Sequence, residues 1–271
     1  MEPQKNILTV PVSIIIAGVI IGGAVLLSNG GPAKNVFKEP AQATNTSITE
    51  NLTLRDVTAD DHILGNPNAK IVMVEFSDLE CPFCKSFHTT MQTLIDQYGK
   101  TGNVAWVYRH FPLDIHPKAF TEAEASECAL ELGGNEKFWA YINKLLSVTP
   151  SNNGLDLTQL PKIAGQVGLN VTQFQTCLDS GKYSAKVKAD YEDGLTAGVS
   201  GTPNTVLVMT NPITTAAAKR LSEINQSILN QLPPGSPNVI TLDSTNKKVG
   251  IGGAFQLAVM KEIIDLILSG K

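Results

Sequence analysis

The chain has 271 residues, 42% of them hydrophobic, enough to bury a sizeable core and too apolar for a chain disordered throughout. Its 21 basic and 25 acidic side chains give a net charge of -4 with no basic block, which excludes the phosphate-neutralising surface that nucleic acid requires. Four cysteines, an even count, suit an oxidising compartment.

From the N-terminus, residues 6–33 carry no charge, and residues 7–27 are dominated by Ile, Val, Leu, Ala and Gly. About 20 such residues span a bilayer core, so residues 1–28 are expected to form a transmembrane anchor. A cleaved signal is the alternative if helix begins only beyond Pro11, with Ser28-Asn29-Gly30 as the cleavage site. The short N-terminal tail makes export of the larger C-terminal part the simpler topology, so the expected location is the cell membrane, single-pass, with the main domain outside the cytoplasm. Residues 29–56 are rich in Gly, Pro, Ala, Asn, Thr and Ser and read as a flexible tether, leaving 57–271 as the folded domain.

Within that domain Leu64-Gly65-Asn66-Pro67-Asn68 reads as a turn and 71–76 as a strand covered on both faces. A helix follows over 82–98, then a strand over 104–111, which makes a strand-helix-strand unit of the kind that builds a parallel sheet. Residues 117–199 are helical throughout, broken at Gly133-Gly134, Pro150 to Gly154, Gly165 to Gly168 and Gly181. Strands return at 205–209 and near 248–251, and an amphipathic helix over 254–268 closes the chain. Between those strands an extra segment, about 211–247, carries a helical pattern around 216–232 and strand-like residues 239–242.

Chemistry concentrates in Cys81-Pro82-Phe83-Cys84, at the junction of the first strand and its helix. A cysteine at a helix N-terminus faces unpaired backbone N–H groups, which favour the thiolate, so Cys81 is the expected nucleophile. Cys84, nearly one turn on, is the expected resolving thiol. A zinc site using Cys81, Cys84 and His88 lacks a second ligand pair, so neither metal nor cofactor is expected. Glu75 is an ionisable group inside an apolar strand; it must be paired or shift its pKa upward unless the strand is an exposed edge. His62 and His88 are expected at the surface, and His110 and His116 in packing and turn hydrogen bonds.

The string from Glu75 to Cys84, Tyr108-Arg109-His110-Phe111-Pro112-Leu113 with His116-Pro117, and Gly198-Val199-Ser200-Gly201-Thr202-Pro203 together resemble the DsbA-like thiol:disulfide oxidoreductases of the bacterial cell envelope, within the thioredoxin-fold family. The resemblance covers about residue 60 to the C-terminus. It implies an α/β thioredoxin fold with an inserted helical domain over 117–199. It also implies that Pro203 is cis and lies beside the redox pair, with Thr202 and Pro203 binding substrate alongside Pro82 and Phe83; a proline that merely opens a strand is the other reading. Glu75 falls where the family has a buried acid that relays the proton of Cys84. Cys128 and Cys177 match relatives with a disulfide inside the helical insertion; two buried free thiols are the alternative.

The implied activity is a dithiol oxidase acting on reduced exported proteins and reoxidised by a quinone-linked membrane partner, which the N-terminal helix would help it meet. An isomerase or reductase of the same fold competes with it, and a non-catalytic metal carrier or chaperone is the alternative from another class. Glu80, immediately before Cys81, should oppose thiolate formation and make the site a milder oxidant.

Overall fold

The computed structural model describes residues 48–270. Six strands form one mixed sheet in the order β1-β3-β2-β4-β6-β5, with β1 His62–Gly65, β2 Ile71–Ser77, β3 Val104–His110, β4 Asn204–Met209, β5 Ile240–Leu242 and β6 Lys248–Gly252. Only β2 and β3 run parallel, joined through α1 Pro82–Tyr98; every other pairing is antiparallel. The central β2 is buried at all seven positions, as its near-continuous apolar run, interrupted by Glu75, leads one to expect.

Alternation along the strands sends two sets of side chains to opposite faces. Ile71, Met73, Trp106, Leu207 and Val249 face a large core built with Phe87 and Met91 of α1, Leu221 of α6 Thr215–Leu229 and Ile263 of α7 Leu257–Ser269. Val72, Val74, Phe76, Val107 and Val206 face a smaller one with Leu54, Val57, Phe111 and Val199. Gly194 of α5 Ser184–Thr196 lets that helix approach closely, because a Cβ there would lie 2.5 Å from the Phe111 ring.

Between β3 and β4 lie α2 Ala119–Val148, α3 Leu160–Gln166, α4 Val171–Asp179 and α5. Gly134, at φ 71°, interrupts α2 at the expected glycine pair. Cys128 of α2 and Cys177 of α4 are joined by a disulfide, with Cα atoms 5.9 Å apart.

In the segment about 211–247 the helical and strand-like stretches form α6 and β5; β5 extends the sheet and Ala217, Leu221 and Ile224 are buried. Three expectations change. Residues 62–65 are a strand and not the start of a turn, because the short segment finds hydrogen-bond partners on the edge of β3. The tether does not reach residue 56: Ile48 and Leu52 are buried, Leu242 exchanges backbone bonds with Ile48 and Glu50, and the Arg55 guanidinium meets Asp61 and Asp190. His62 and His88 are buried, the first against Glu127 and the second against Asn143. The apolar stretch 7–27 lies outside the described residues; among the described residues no helix is long and apolar enough to cross a membrane.

Candidate active site

The end of β2 delivers the chain to Asp78, and Asp78 organises the turn that follows. Its Oδ1 accepts from the backbone amides of Glu80 (2.7 Å) and Cys81 (3.1 Å), and its Oδ2 accepts from the amide of Leu113 (2.8 Å) and contacts His116 Nδ1 (2.9 Å). The His116 pKa is raised by that bond, so the pair is charge-assisted. One buried carboxylate thereby ties the redox loop to the loop preceding α2. The sequence motifs contain Asp78 but give it no part; two of its partners, Leu113 and His116, are 35 and 38 residues away, and no local signal marks them.

Cys81 caps α1 with extended backbone and Pro82 occupies the first turn, where a missing N–H leaves no bond unmade. Cys81 is 3% exposed and Cys84 is fully buried; both are free thiols. The Cys81 thiol is pushed down to about 6, first by the hydrogen bond from the Cys84 sulfhydryl, with help from the backbone amides of Cys84 and Phe83 and against the effect of burial. Burial pushes the Cys84 thiol well up, and the charges of Cys81 and Glu75 push it further. The amide of Asp78 donates to Cys84 Sγ at 3.4 Å. The two sulfurs are therefore unequal: one is made to ionise and the other to hold its proton.

Thr202 and Pro203 lie against this pair. Their peptide bond is cis, and the Thr202 carbonyl accepts from Cys81 Sγ at 3.5 Å. Pro82 and Phe83 are half-buried beside Cys81. Of the residues singled out in the sequence, Cys81, Cys84, Thr202 and Pro203 thus meet at one place.

Glu75 lies six residues before Cys81 on the α1 side of the sheet, fully buried. In register it stands between Tyr108 of β3 and Thr205 of β4. Neither of its carboxyl oxygens has a hydrogen-bond partner, nor do the Tyr108 hydroxyl, the Thr205 hydroxyl and the Trp106 indole nitrogen. Burial raises the Glu75 carboxyl to about 7, with Ser77 and Trp106 lying close enough to offset part of that cost. A group poised there can give or take a proton near neutrality.

On the other side of Cys81, Glu80 is fully buried; one oxygen accepts from the Lys118 amide at 3.1 Å and the other has no partner. Glu122 of α2, unnoticed in the sequence among the alanines of that helix, is raised to about 8 by burial and then by the charges of Glu80 and Asp78. Cys128 and Cys177 are apart from this site, as a crosslink inside the helical insertion. His110 bonds Glu127 and has no contact with either thiol among the described hydrogen bonds.

A family model described as Thioredoxin matches residues 57–224, more than half of the chain. Among solved structures, DsbA2 of Pseudomonas aeruginosa is 23% identical with a TM-score of 0.54, covering 78% of this chain and 96% of that one. The α-DsbA1 of Wolbachia pipientis is 23% identical with a TM-score of 0.58, covering 79% and 93%. At that identity the likeness is one of fold. Among curated relatives, Na(+)/H(+) antiporter NhaA 1 of Mycolicibacterium vanbaalenii is 33% identical over 154 residues, 55% of this chain and 24% of the relative. The protein of the same name from Mycolicibacterium gilvum is 32% identical over 146 residues, 53% and 22%. The chain spans about a quarter of the length of these curated relatives.

Proposed function

The chain belongs to the thioredoxin family, and from that premise we propose that it is a DsbA-like protein thiol:disulfide oxidoreductase, working as a dithiol oxidase on exported proteins. The observation that carries the reading is the inequality of the two thiols at the N-terminus of α1, with Cys81 lowered to about 6, Cys84 raised, and the Thr202 carbonyl against Cys81. A Cys81 thiol of low pKa leaves readily from a mixed disulfide, and its thiolate stabilises the reduced product.

In the forward direction a substrate thiolate attacks Cys81 Sγ of the Cys81–Cys84 disulfide. The bond between the cysteines breaks, Cys84 leaves and takes up a proton, and a mixed disulfide joins Cys81 to the substrate. A second substrate thiolate attacks the substrate sulfur of that bond and expels Cys81 as its thiolate. Substrate is then oxidised by two electrons and the enzyme pair reduced. Glu75, near neutrality beneath the pair, is the proton source for Cys84. Thr202, Pro203, Pro82 and Phe83 form the surface on which an extended substrate segment is held.

Reoxidation calls for a membrane partner of quinone-linked type, and residues 7–27 would hold the domain on the extracytoplasmic face of the cell membrane. The Cys128–Cys177 crosslink supports an oxidising location. A second reading is an isomerase or reductase using the same pair of thiols. Acid-quenched thiol trapping in intact cells separates the two. Cys81 and Cys84 found mainly oxidised is the outcome expected of the oxidase; a mainly reduced pair would replace it with the second reading.

A further inference from the structure

Three buried side chains away from the redox pair converge on one point. His62 of β1 and His110 of β3 each place Nε2 against the same oxygen of Glu127, at 2.7 Å and 3.1 Å. Each of the three residues is about 1% exposed, and their nitrogen and oxygen atoms all lie within 4.8 Å of one another. The sheet explains the meeting: His62 pairs with Tyr108, so His110, two residues on, shares its face, and α2 lays Glu127 across both. Phe138 stacks on the His62 ring with centroids 3.6 Å apart and fixes its plane.

We propose that His62, His110 and Glu127 form a binding site for a divalent transition-metal cation of the zinc class. Two imidazoles and one carboxylate are a donor set such ions take, leaving one position open. Ligands about 2.0–2.1 Å from a tetrahedral zinc lie about 3.3 Å apart, so the two contacts to Glu127, now 2.7 Å and 3.1 Å, would have to open by about half an ångström or less. Metal binding at Nε2 puts each ring proton on Nδ1, which is buried without an acceptor in both rings, and takes His110 Nε2 from its 3.3 Å contact with Ser126 Oγ; the bonds to the ion have to offset that cost.

His62 and Glu127 line a cavity of about 560 Å³ that also reaches Asp60 and Asp61, and the second Glu127 oxygen is unpartnered. Lys186 lines the same cavity, but Asp190 neutralises it through contacts of 2.8 Å and 3.0 Å. An ion here would clamp the β1–β3 edge of the sheet to α2.

The test uses the full chain carrying Cys81→Ser and Cys84→Ser, so that the thiols cannot supply the ligands, and a companion with Glu127→Gln or His110→Gln added. Zinc affinity and stoichiometry are measured by chelator competition and metal analysis, with circular dichroism to establish that each variant is folded. One zinc per chain is expected, with affinity at least about 100-fold weaker in either companion, given that even second-shell changes cost 10–100-fold. Cobalt substituted for zinc should show visible bands of a four-coordinate nitrogen and oxygen site without sulfur charge transfer. Failure to bind zinc, or equal affinity in a folded companion, would overturn the proposal. The redox reading is untouched by either result, since this variant lacks its thiols.

Discussion

At the scale of single residues, Cys81 and Glu75 titrate in opposite senses. The Cys81 thiol is lowered from 9.0 to about 6, so the stabilisation of the reduced protein by its thiolate is complete above about pH 9 and is lost as pH falls through about 6. Alkylation of Cys81 in the reduced protein is therefore expected to titrate with a midpoint near 6, while Cys84 stays unreactive until the protein unfolds; a midpoint near 9 would contradict the site described. Glu75 is raised from 4.5 to about 7, so its contribution to stability is complete below about pH 4.5 and is lost as pH rises through about 7. The shift corresponds to about 3 kcal/mol between those limits. Glu75→Gln, which cannot ionise, is expected to lose about that much of the parent's pH dependence, measured by urea unfolding at pH 5 and pH 8. Equal slopes in parent and variant would mean that the carboxyl is ionised throughout.

At the scale of elements, the crosslink between α2 and α4 closes a loop whose ends are 49 residues apart in sequence. Constraint of an unfolded loop of that length is worth about 4 kcal/mol in the chain-entropy account, and measured values run about 2–4 kcal/mol. Replacing Cys128 and Cys177 together by Ala is expected to lower unfolding free energy by that range while leaving Cys81 alkylation unchanged; a loss under about 0.5 kcal/mol would show that the helices hold their geometry unaided. The elements around this crosslink also show which parts of the fold could be read in advance. Strands β2 and β4 and helices α1 and α7 were legible because each carries its own period or near-continuous apolar run, and Gly134 breaks α2 where the glycine pair stands. Strand β1 was not, since its four residues gain their structure only by pairing with β3. The burial of His62 and His88 was equally hidden: their partners Glu127 and Asn143 lie 65 and 55 residues away, and a histidine in one sequence window reads as polar. Within the site, Cys81, Cys84, Glu75 and Thr202-Pro203 were identifiable from motif and context. Asp78 and Glu122 were not, because what makes them matter is the set of distant groups they face.

At the scale of the molecule, one face of the sheet is covered partly by α5 and partly by a strap of extended chain running from Ile48 to Asp61. Its first residues bond to β5 at one edge. Leu52 then crosses β6 at Gly250, where a Cβ would lie 3.2 Å from the leucine methyl and 2.5 Å from the Thr241 hydroxyl, so only glycine lets the strap lie flat. Arg55 bonds Asp190 at 2.6 Å and Asp61 at 3.0 Å, and the fully buried Arg109 bonds Asp61 at 2.9 Å and Asp193 at 2.7 Å, so the strap, β3 and α5 share one charge network. Such a network holds only while complete, because removing a partner leaves a buried charge exposed to the low dielectric. This separates a tether from a strap experimentally. A chain shortened to begin at Ile48 retains every contact described and serves as the reference. A chain beginning at Thr58 loses Ile48 and Leu52, each worth about 1.5–3 kcal/mol on burial, and the Arg55 bonds as well, so its stability should fall by at least about 3 kcal/mol. Its Cys81 should still alkylate with a midpoint near 6, since Glu75, Asp78, Cys84 and Thr202 all lie outside the deleted segment. Equal stability of the two shortened chains would return residues 48–57 to the status of a tether and leave the charge network to Arg109 alone.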